Sequence, residues 1–197
     1  MNKSQSFMGI IIAILVCVDI LLFIKNISLQ KDYANHEYII SILNRKLQQM
    51  EHIKNNYEVN NLYTGIHIGD WGITDDTGNS ALLKDVINEK TLIFRYDHLA
   101  CSECISFASN MLIELSKSNL PLITLPIYNN HAEMKKFSRQ YSTLSIPMYN
   151  TNIQLELDKL QQPYYCIIDK HCVITEIFIP DKSNIITTQE FVNRLLQ

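Results

Sequence analysis

The chain has 197 residues, 17 basic against 20 acidic side chains, a formal charge of −3 and a pI near 6.0. No long Lys/Arg stripe is present to displace counterions from phosphates, which excludes nucleic acid as a partner. Five cysteines, Cys17, Cys101, Cys104, Cys166 and Cys172, are too few and too unevenly placed for a small disulfide-built scaffold, and the length allows one ordinary domain plus an extension.

The extension is N-terminal. Phe7 to Ile24, FMGIIIAILVCVDILLFI, is a nearly unbroken apolar run bracketed by Lys3 and Lys25, about as long as one membrane-spanning helix needs. Residues 1–25 are therefore expected to form a signal anchor. No small-x-small cleavage site follows the run, and Val16 stands where a lipoprotein site needs a small residue before Cys17. Asp19, inside the span, is expected to be protonated or paired within the helix. Lys25, Lys31 and later basic residues outnumber Lys3 and the amino terminus. The positive-inside count thus does not itself place the bulk of the chain outside, and the compartment has to follow from the chemistry.

Residues 26–60 contain neither Pro nor Gly. Ile40, Leu43, Leu47, Met50 and Tyr57 recur at three- and four-residue steps and line one face of a predicted helix. A short parallel coiled coil that dimerises the chain is one reading. With Lys54 interrupting the seam, a lone amphipathic stalk is the other. YTGIHI, Tyr63 to Ile68, reads as a short strand or ordered linker, and the domain boundary is placed near Asn60, with the globular domain over 61–197.

Within that domain TDDTGNS, Thr74 to Ser80, is a dense turn cluster, and ALLKDVINE after it carries a short helical pattern. Thr91 to Tyr96 is rich in β-branched and aromatic residues, as in a strand buried on both faces. The two cysteines of CSEC follow after DHLA. Ile105, Met111, Leu112 and Leu115 then recur at helical intervals, so Cys101 falls at a helix N-terminus with Cys104 one turn in. Leu122 to Tyr128 is a second buried strand. HAEMKKFSRQY reads as a helix with Met134, Phe137 and Tyr141 on one side, and LSIPMY as a short extended piece. QQPYYCIIDKHCVITEIFIP reads as two strands joined by a tight turn at Asp169, Lys170 and His171. ITTQEFVNRLLQ closes the chain as an amphipathic helix with Thr188 as its N-cap. The order predicts an α/β domain built on a mostly parallel sheet, with an antiparallel pair at one side.

A thiolate at a helix N-terminus is stabilised by the unsatisfied N–H groups and the macrodipole, which makes Cys101 the expected nucleophile. Cys104, at i+3, has its Cα about 5–6 Å away, inside the span a disulfide accepts, and is the natural resolving thiol. A static staple across two intervening residues would restrict the unfolded chain little. The rival is a zinc or copper site, for which Cys166 and Cys172 with His98 and His171 supply candidate ligands. Against it, Cys166 and Cys172 flank a hairpin without knuckle spacing, and Cys166 sits among apolar neighbours, the usual surroundings of an inert cysteine. Cys172, at a turn, is expected to be exposed.

The run from Ile73 to Ile105, with its D-x-x-G turn at Asp75 to Gly78, KTLIFRY strand and helix-opening CSEC, resembles the thioredoxin-like superfamily. More narrowly, it is similar to the membrane-anchored bacterial thiol–disulfide oxidoreductases of the TlpA type. The segment QPYYCIIDKHCVITEIFIP is similar to that family's cis-proline strand and hairpin. The resemblance spans about residues 66–197. It implies a thioredoxin-like fold with a central mixed sheet flanked by helices, a Cys101 that attacks a substrate disulfide, and a Cys104 that resolves the mixed disulfide. It further implies a cis-proline at Pro163, with Gln162 before it, that receives an extended substrate segment beside the pair; Pro147 is the competing candidate. The chain departs from the pattern in having Ser102 and Glu103 between the cysteines, where better-known members have a proline. It also lacks a tryptophan before the first cysteine, Trp71 being the sole one.

Glu103 is expected to oppose the thiolate by like-charge repulsion and bias the pair toward reduction of its clients, while a protonated His98 would pull the other way. The expected activity is reduction of disulfides in exported proteins. It calls for no cofactor, takes protein thiols and disulfides as clients, and draws electrons from a membrane-embedded or soluble thiol donor. A reductant working among oxidised proteins has use for a tether, so the domain is expected on the outer, periplasmic face of a bacterial inner membrane. The alternative is a thioredoxin-like binding module without turnover.

Overall fold

The computed structural model describes residues 3–130, 132–135 and 146–197, without the side chains of 3–14 and 16. The chain divides into two compact units, Met1–Met50 and Glu51–Gln197. The first is helical throughout its described length, as part of α1, Lys3–Tyr63. No Gly or Pro falls between Gly9 and Gly65, so nothing in this stretch interrupts the i→i−4 ladder. Half of the apolar run Phe7–Ile24, residues 7–14 and 16, has its side chains outside the described set. Among the described residues no helix is long and apolar enough to cross a membrane.

The second unit begins earlier than the boundary expected near Asn60, because the last turns of α1 belong to the domain. Asn56 Oδ1 accepts from the Ile179 N–H at 2.7 Å, and Asn60 Oδ1 accepts from the Ile177 N–H at 2.8 Å. Both amides satisfy the free edge of a strand. The helix stops before Gly65, whose φ of +91° suits a residue without a Cβ.

The strands form two sheets. A small one has the order β2–β1–β5, with β1 Gly72–Asp75, β2 Ser80–Leu82 and β5 Tyr149–Asn150. The turn cluster read from sequence is partly this hairpin. Its tip is held by Asp75, whose Oδ1 accepts from the N–H groups of Thr77 and Asn79. The short helix α2, Leu83–Val86, follows. The main sheet has the order β4–β3–β6–β7, with β3 Thr91–Asp97, β4 Leu122–Ile127, β6 Tyr164–Ile168 and β7 Ile174–Phe178. Only β3 and β4 pair in parallel; β3–β6 and β6–β7 are antiparallel. The sheet is thus mixed rather than mostly parallel, because the segment after β5 brings the chain back against β3.

Alternation along the strands sorts the core onto two faces. Leu92, Phe94, Tyr96, Tyr165 and Ile167 pack with Leu112 and Leu115 of α3, Ser102–Leu115, and with Phe191 and Val192 of α4, Ile185–Leu195. Ile93, Cys166 and Ile168 face Tyr63, Ile68, Ile73 and Leu83 on the other side. This is the mixed sheet flanked by helices that a thioredoxin-like resemblance implies.

Three local expectations are corrected. The cap of α4 is Asn184 and not Thr188; Thr188 Oγ1 instead accepts from the Asp181 N–H at 3.3 Å and is buried inside the helix. Cys172 is buried, not exposed, because residues 66–68 run along the hairpin tip and bond it through Ile68 N–H to Cys172 O at 2.9 Å. The described residues contain no cis peptide bond, so the Gln162–Pro163 and Ile146–Pro147 peptides are trans. The chain reversal before Pro163 is made instead by Gln161, in the left-handed region at φ +52°, closing a 3-10 helix over Glu156–Leu160. Met134 is buried in the helical piece 132–135; Phe137 and Tyr141 lie outside the described residues.

One ion pair crosses the interior. Arg95, in the middle of an apolar strand, donates from Nε to Asp158 Oδ1 at 2.9 Å and from Nη2 to Asp158 Oδ2 at 2.7 Å, and both side chains are almost fully buried. Asp158 also accepts from Tyr164 Oη and from the Leu155 N–H, while Trp71 stacks on the guanidinium at 4.7 Å. Removing one member leaves the other charge buried and unpaired. Asp158→Ala is expected to lower unfolding free energy by about 3–5 kcal/mol in denaturant titration. A loss within about 0.5 kcal/mol, as at ordinary surface positions, would contradict that role.

Candidate functional site

β3 delivers the chain to one end of the main sheet, where the loop 98–100 leads into α3. The loop is tied down locally. Asp97 Oδ1 accepts from the Leu99 N–H at 2.8 Å, and the Ala100 N–H donates to Asp97 O at 3.0 Å. Cys101 then caps α3 with φ −52° and ψ 122°. Its carbonyl accepts from the Ile105 N–H at 3.0 Å, and its Sγ accepts from the Cys104 N–H at 3.3 Å. The sulfur occupies the place a Ser or Asp oxygen takes in an ordinary N-cap. The Tyr165 hydroxyl donates to Ala108 O at 2.6 Å and so pins α3 to β6.

Both cysteines are free thiols, Cys101 exposed and Cys104 half-buried. The hydrogen bond from the Cys104 side chain, then the Cys104 and Glu103 N–H groups and the Lys182 charge, hold the Cys101 thiol below its ordinary pKa. Burial first, then proximity to Cys101, push the Cys104 thiol up. The pair is therefore asymmetric: one accessible sulfur favours the thiolate, and the other keeps its proton and can supply it.

The other residues singled out from the sequence lie at varying removes from the two sulfurs. His98 Nδ1 is 3.0 Å from both Ile127 O and Asp97 Oδ1, and Nε2 is 2.9 Å from Asn129 Nδ2. These contacts direct the ring to β4. Ser102 is the first residue of α3 and exposed. Glu103, also exposed, is bonded by Lys182 Nζ at 2.7 Å. The register pairs Arg95 with Tyr164, so Pro163 stands one step further, at the same sheet end as the loop to Cys101. Pro163 is buried there and Gln162 exposed.

Cys166 lies in the core, where burial pushes its thiol up to about 12. His171 is exposed at the hairpin tip, beyond the buried Cys172. Among the described residues no group of three or more His, Cys, Asp or Glu side chains is placed to hold a metal ion. Lys182 and the Arg95–Asp158 pair were missed from sequence. Arg95 left a signal, a charge inside an apolar strand, but Lys182 lies 79 residues from Glu103 and left none.

No protein-family model and no curated protein matches the chain. Solved structures do. A thiol:disulfide interchange protein from Bacteroides sp. aligns at 16% identity and a TM-score of 0.43, over 66% of this chain and 90% of that one. The thioredoxin domain of a thiol-disulfide oxidoreductase from Bacteroides vulgatus aligns at 14% and 0.45, over 66% and 98%. A secreted disulfide oxidoreductase from Mycobacterium tuberculosis aligns at 12% and 0.43, over 64% and 94%. At such identities the chemistry has to rest on the chain's own two sulfurs.

A direct check is the pH profile of alkylation. Because its thiol is held below the ordinary value, Cys101 should react with iodoacetamide at lower pH than Cys104, Cys166 or Cys172, read by peptide mass. Equal profiles for Cys101 and Cys104 would contradict the asymmetry. The chain thus opens a helix with CSEC at one end of a mixed sheet.

Proposed function

We propose that the chain is a membrane-tethered thiol–disulfide oxidoreductase that reduces disulfides of exported proteins. The observation that carries this reading is the exposed Cys101 sulfur capping α3, with the half-buried Cys104 hydrogen-bonded to it. The Cys101 thiolate attacks one sulfur of a client disulfide, forming a Cys101–client bond and expelling the other client sulfur, which takes up a proton. Cys104 gives up its proton, attacks Cys101 Sγ and releases the second client thiol. The client gains two electrons, and the pair is left as a Cys101–Cys104 disulfide. A thiol donor, membrane-embedded or soluble, reduces it again by the same exchange. No cofactor enters.

Gln162 and Pro163, which precede β6 at the sheet end where Cys101 emerges, are the residues against which an extended client segment lies in this reading. The tether is the apolar run Phe7–Ile24 between Lys3 and Lys25. It holds the domain on the extracytoplasmic side of a bacterial inner membrane, among oxidised exported proteins. Ile40, Leu43, Leu47 and Met50 are all exposed on α1, and their spacing suits a parallel homodimer. Sedimentation of the full-length protein should give a dimer that Leu47→Asp dissociates; a wild-type monomer would end the coiled-coil proposal.

Cys104→Ala in intact cells tests the activity. It should accumulate client proteins disulfide-bonded to Cys101, because the resolving thiol is gone. If nothing is trapped, the domain is a binding module without turnover. A reduction potential as oxidising as about −120 mV would reverse the proposed direction of transfer.

A further inference from the structure

Glu103 occupies the interval between the two cysteines, and an unpaired carboxylate there would disfavour both thiolates. It is not unpaired. Lys182, in the loop between β7 and α4, reaches it with Nζ at 2.7 Å from Oε2. That loop is built to present the lysine. Asp181 Oδ1 accepts from the Ser183 N–H at 2.8 Å, its N–H donates to Thr188 Oγ1 at 3.3 Å, and its Oδ2 stands 3.6 Å from His52 Nδ1. Lys182 is thereby fixed on both sides, between an anchored Asp181 and the start of α4.

We propose that Lys182 is the positioning residue of the cysteine pair: a cation brought from a loop distant in sequence that neutralises Glu103, the carboxylate between the two cysteines. The inference rests on the redox reading of Cys101 and Cys104 and gives it a regulator of thiolate charge. Of the charged groups, Glu103 stands between the two cysteines in the chain, and Lys182 is bonded to it. Asp97 is turned to the Leu99 N–H, and His98 to Ile127 and Asn129. The Cys104 side chain and N–H do most to hold the Cys101 thiol down, with Lys182 adding to them, and Lys182 in turn holds the Glu103 carboxyl below its usual range. The repulsion expected of Glu103 from sequence is therefore offset by a partner that sequence does not reveal.

The test is the iodoacetamide alkylation rate of Cys101 in the reduced full-length protein across the pH range, for wild type, Lys182→Met, Lys182→Arg, Glu103→Gln and the double variant E103Q/K182M. At about pH 6, Lys182→Met should react about threefold more slowly, in keeping with a partly exposed charge interaction. Lys182→Arg should restore the rate, Glu103→Gln should raise it, and the double variant should return near wild type. A purely structural bridge would not move this profile, so a Lys182→Met profile equal to wild type overturns the inference. In parallel, wild type is equilibrated with glutathione. If it forms the Cys101–Cys104 disulfide while Lys182→Met alkylates normally, only the role of Lys182 fails; if it forms none, the redox reading itself fails.

Discussion

The start of an α-helix leaves N–H groups without partners, and in this chain the group that meets them at α3 is a sulfur. Everything specific to the candidate site follows from that substitution of Cys101 for a capping oxygen. The sulfur is exposed because a cap lies outside the helix proper, and it favours charge because it faces donors. It stands near Cys104 because a helical turn returns to the same face every three to four residues. The same geometry leaves the second sulfur half inside, where burial keeps it protonated. An asymmetric dithiol thus arises first of all from where one helix begins.

That start is held in place by the strands beneath it. β3 is buried along its whole length and ends at Asp97, which closes the loop on itself through Leu99 and Ala100. β6 is tied to α3 by Tyr165 and to the segment before it by the Arg95–Asp158–Tyr164 cluster. A buried ion pair is weak evidence of net stability. Its effect here is positional: it sets the 3-10 turn and the residues leading to Pro163 against the sheet end where Cys101 emerges.

The parts of this arrangement legible in the sequence are those with local periodicity. The burial of KTLIFRY, the helix opened by CSEC, the tight turn after CIID and the closing amphipathic helix all declare themselves through neighbours a few positions apart. What was not legible depends on residues distant in sequence. The small sheet pairs β1 with β5, which lie on opposite sides of β3 and β4 in the chain, so its strands read as a turn cluster, the start of a helix and an isolated extended piece. Asn56 and Asn60 look like stalk residues until β7 is seen to need them. The burial of Cys172 likewise follows from a packing partner that no window of sequence contains. Lys182 is the sharpest case, because the charge read on Glu103 from its position alone is paired by a residue 79 positions away in the chain.

The most direct measurement is the equilibrium of the full-length protein with graded ratios of reduced to oxidised glutathione, followed by acid quenching and peptide mass analysis. One reversible two-electron transition is expected, joining Cys101 to Cys104 and leaving Cys166 and Cys172 as thiols. Failure of that bond to form at any ratio, or its formation between other sulfurs, would contradict the assignment of Cys101 and Cys104 as a redox pair.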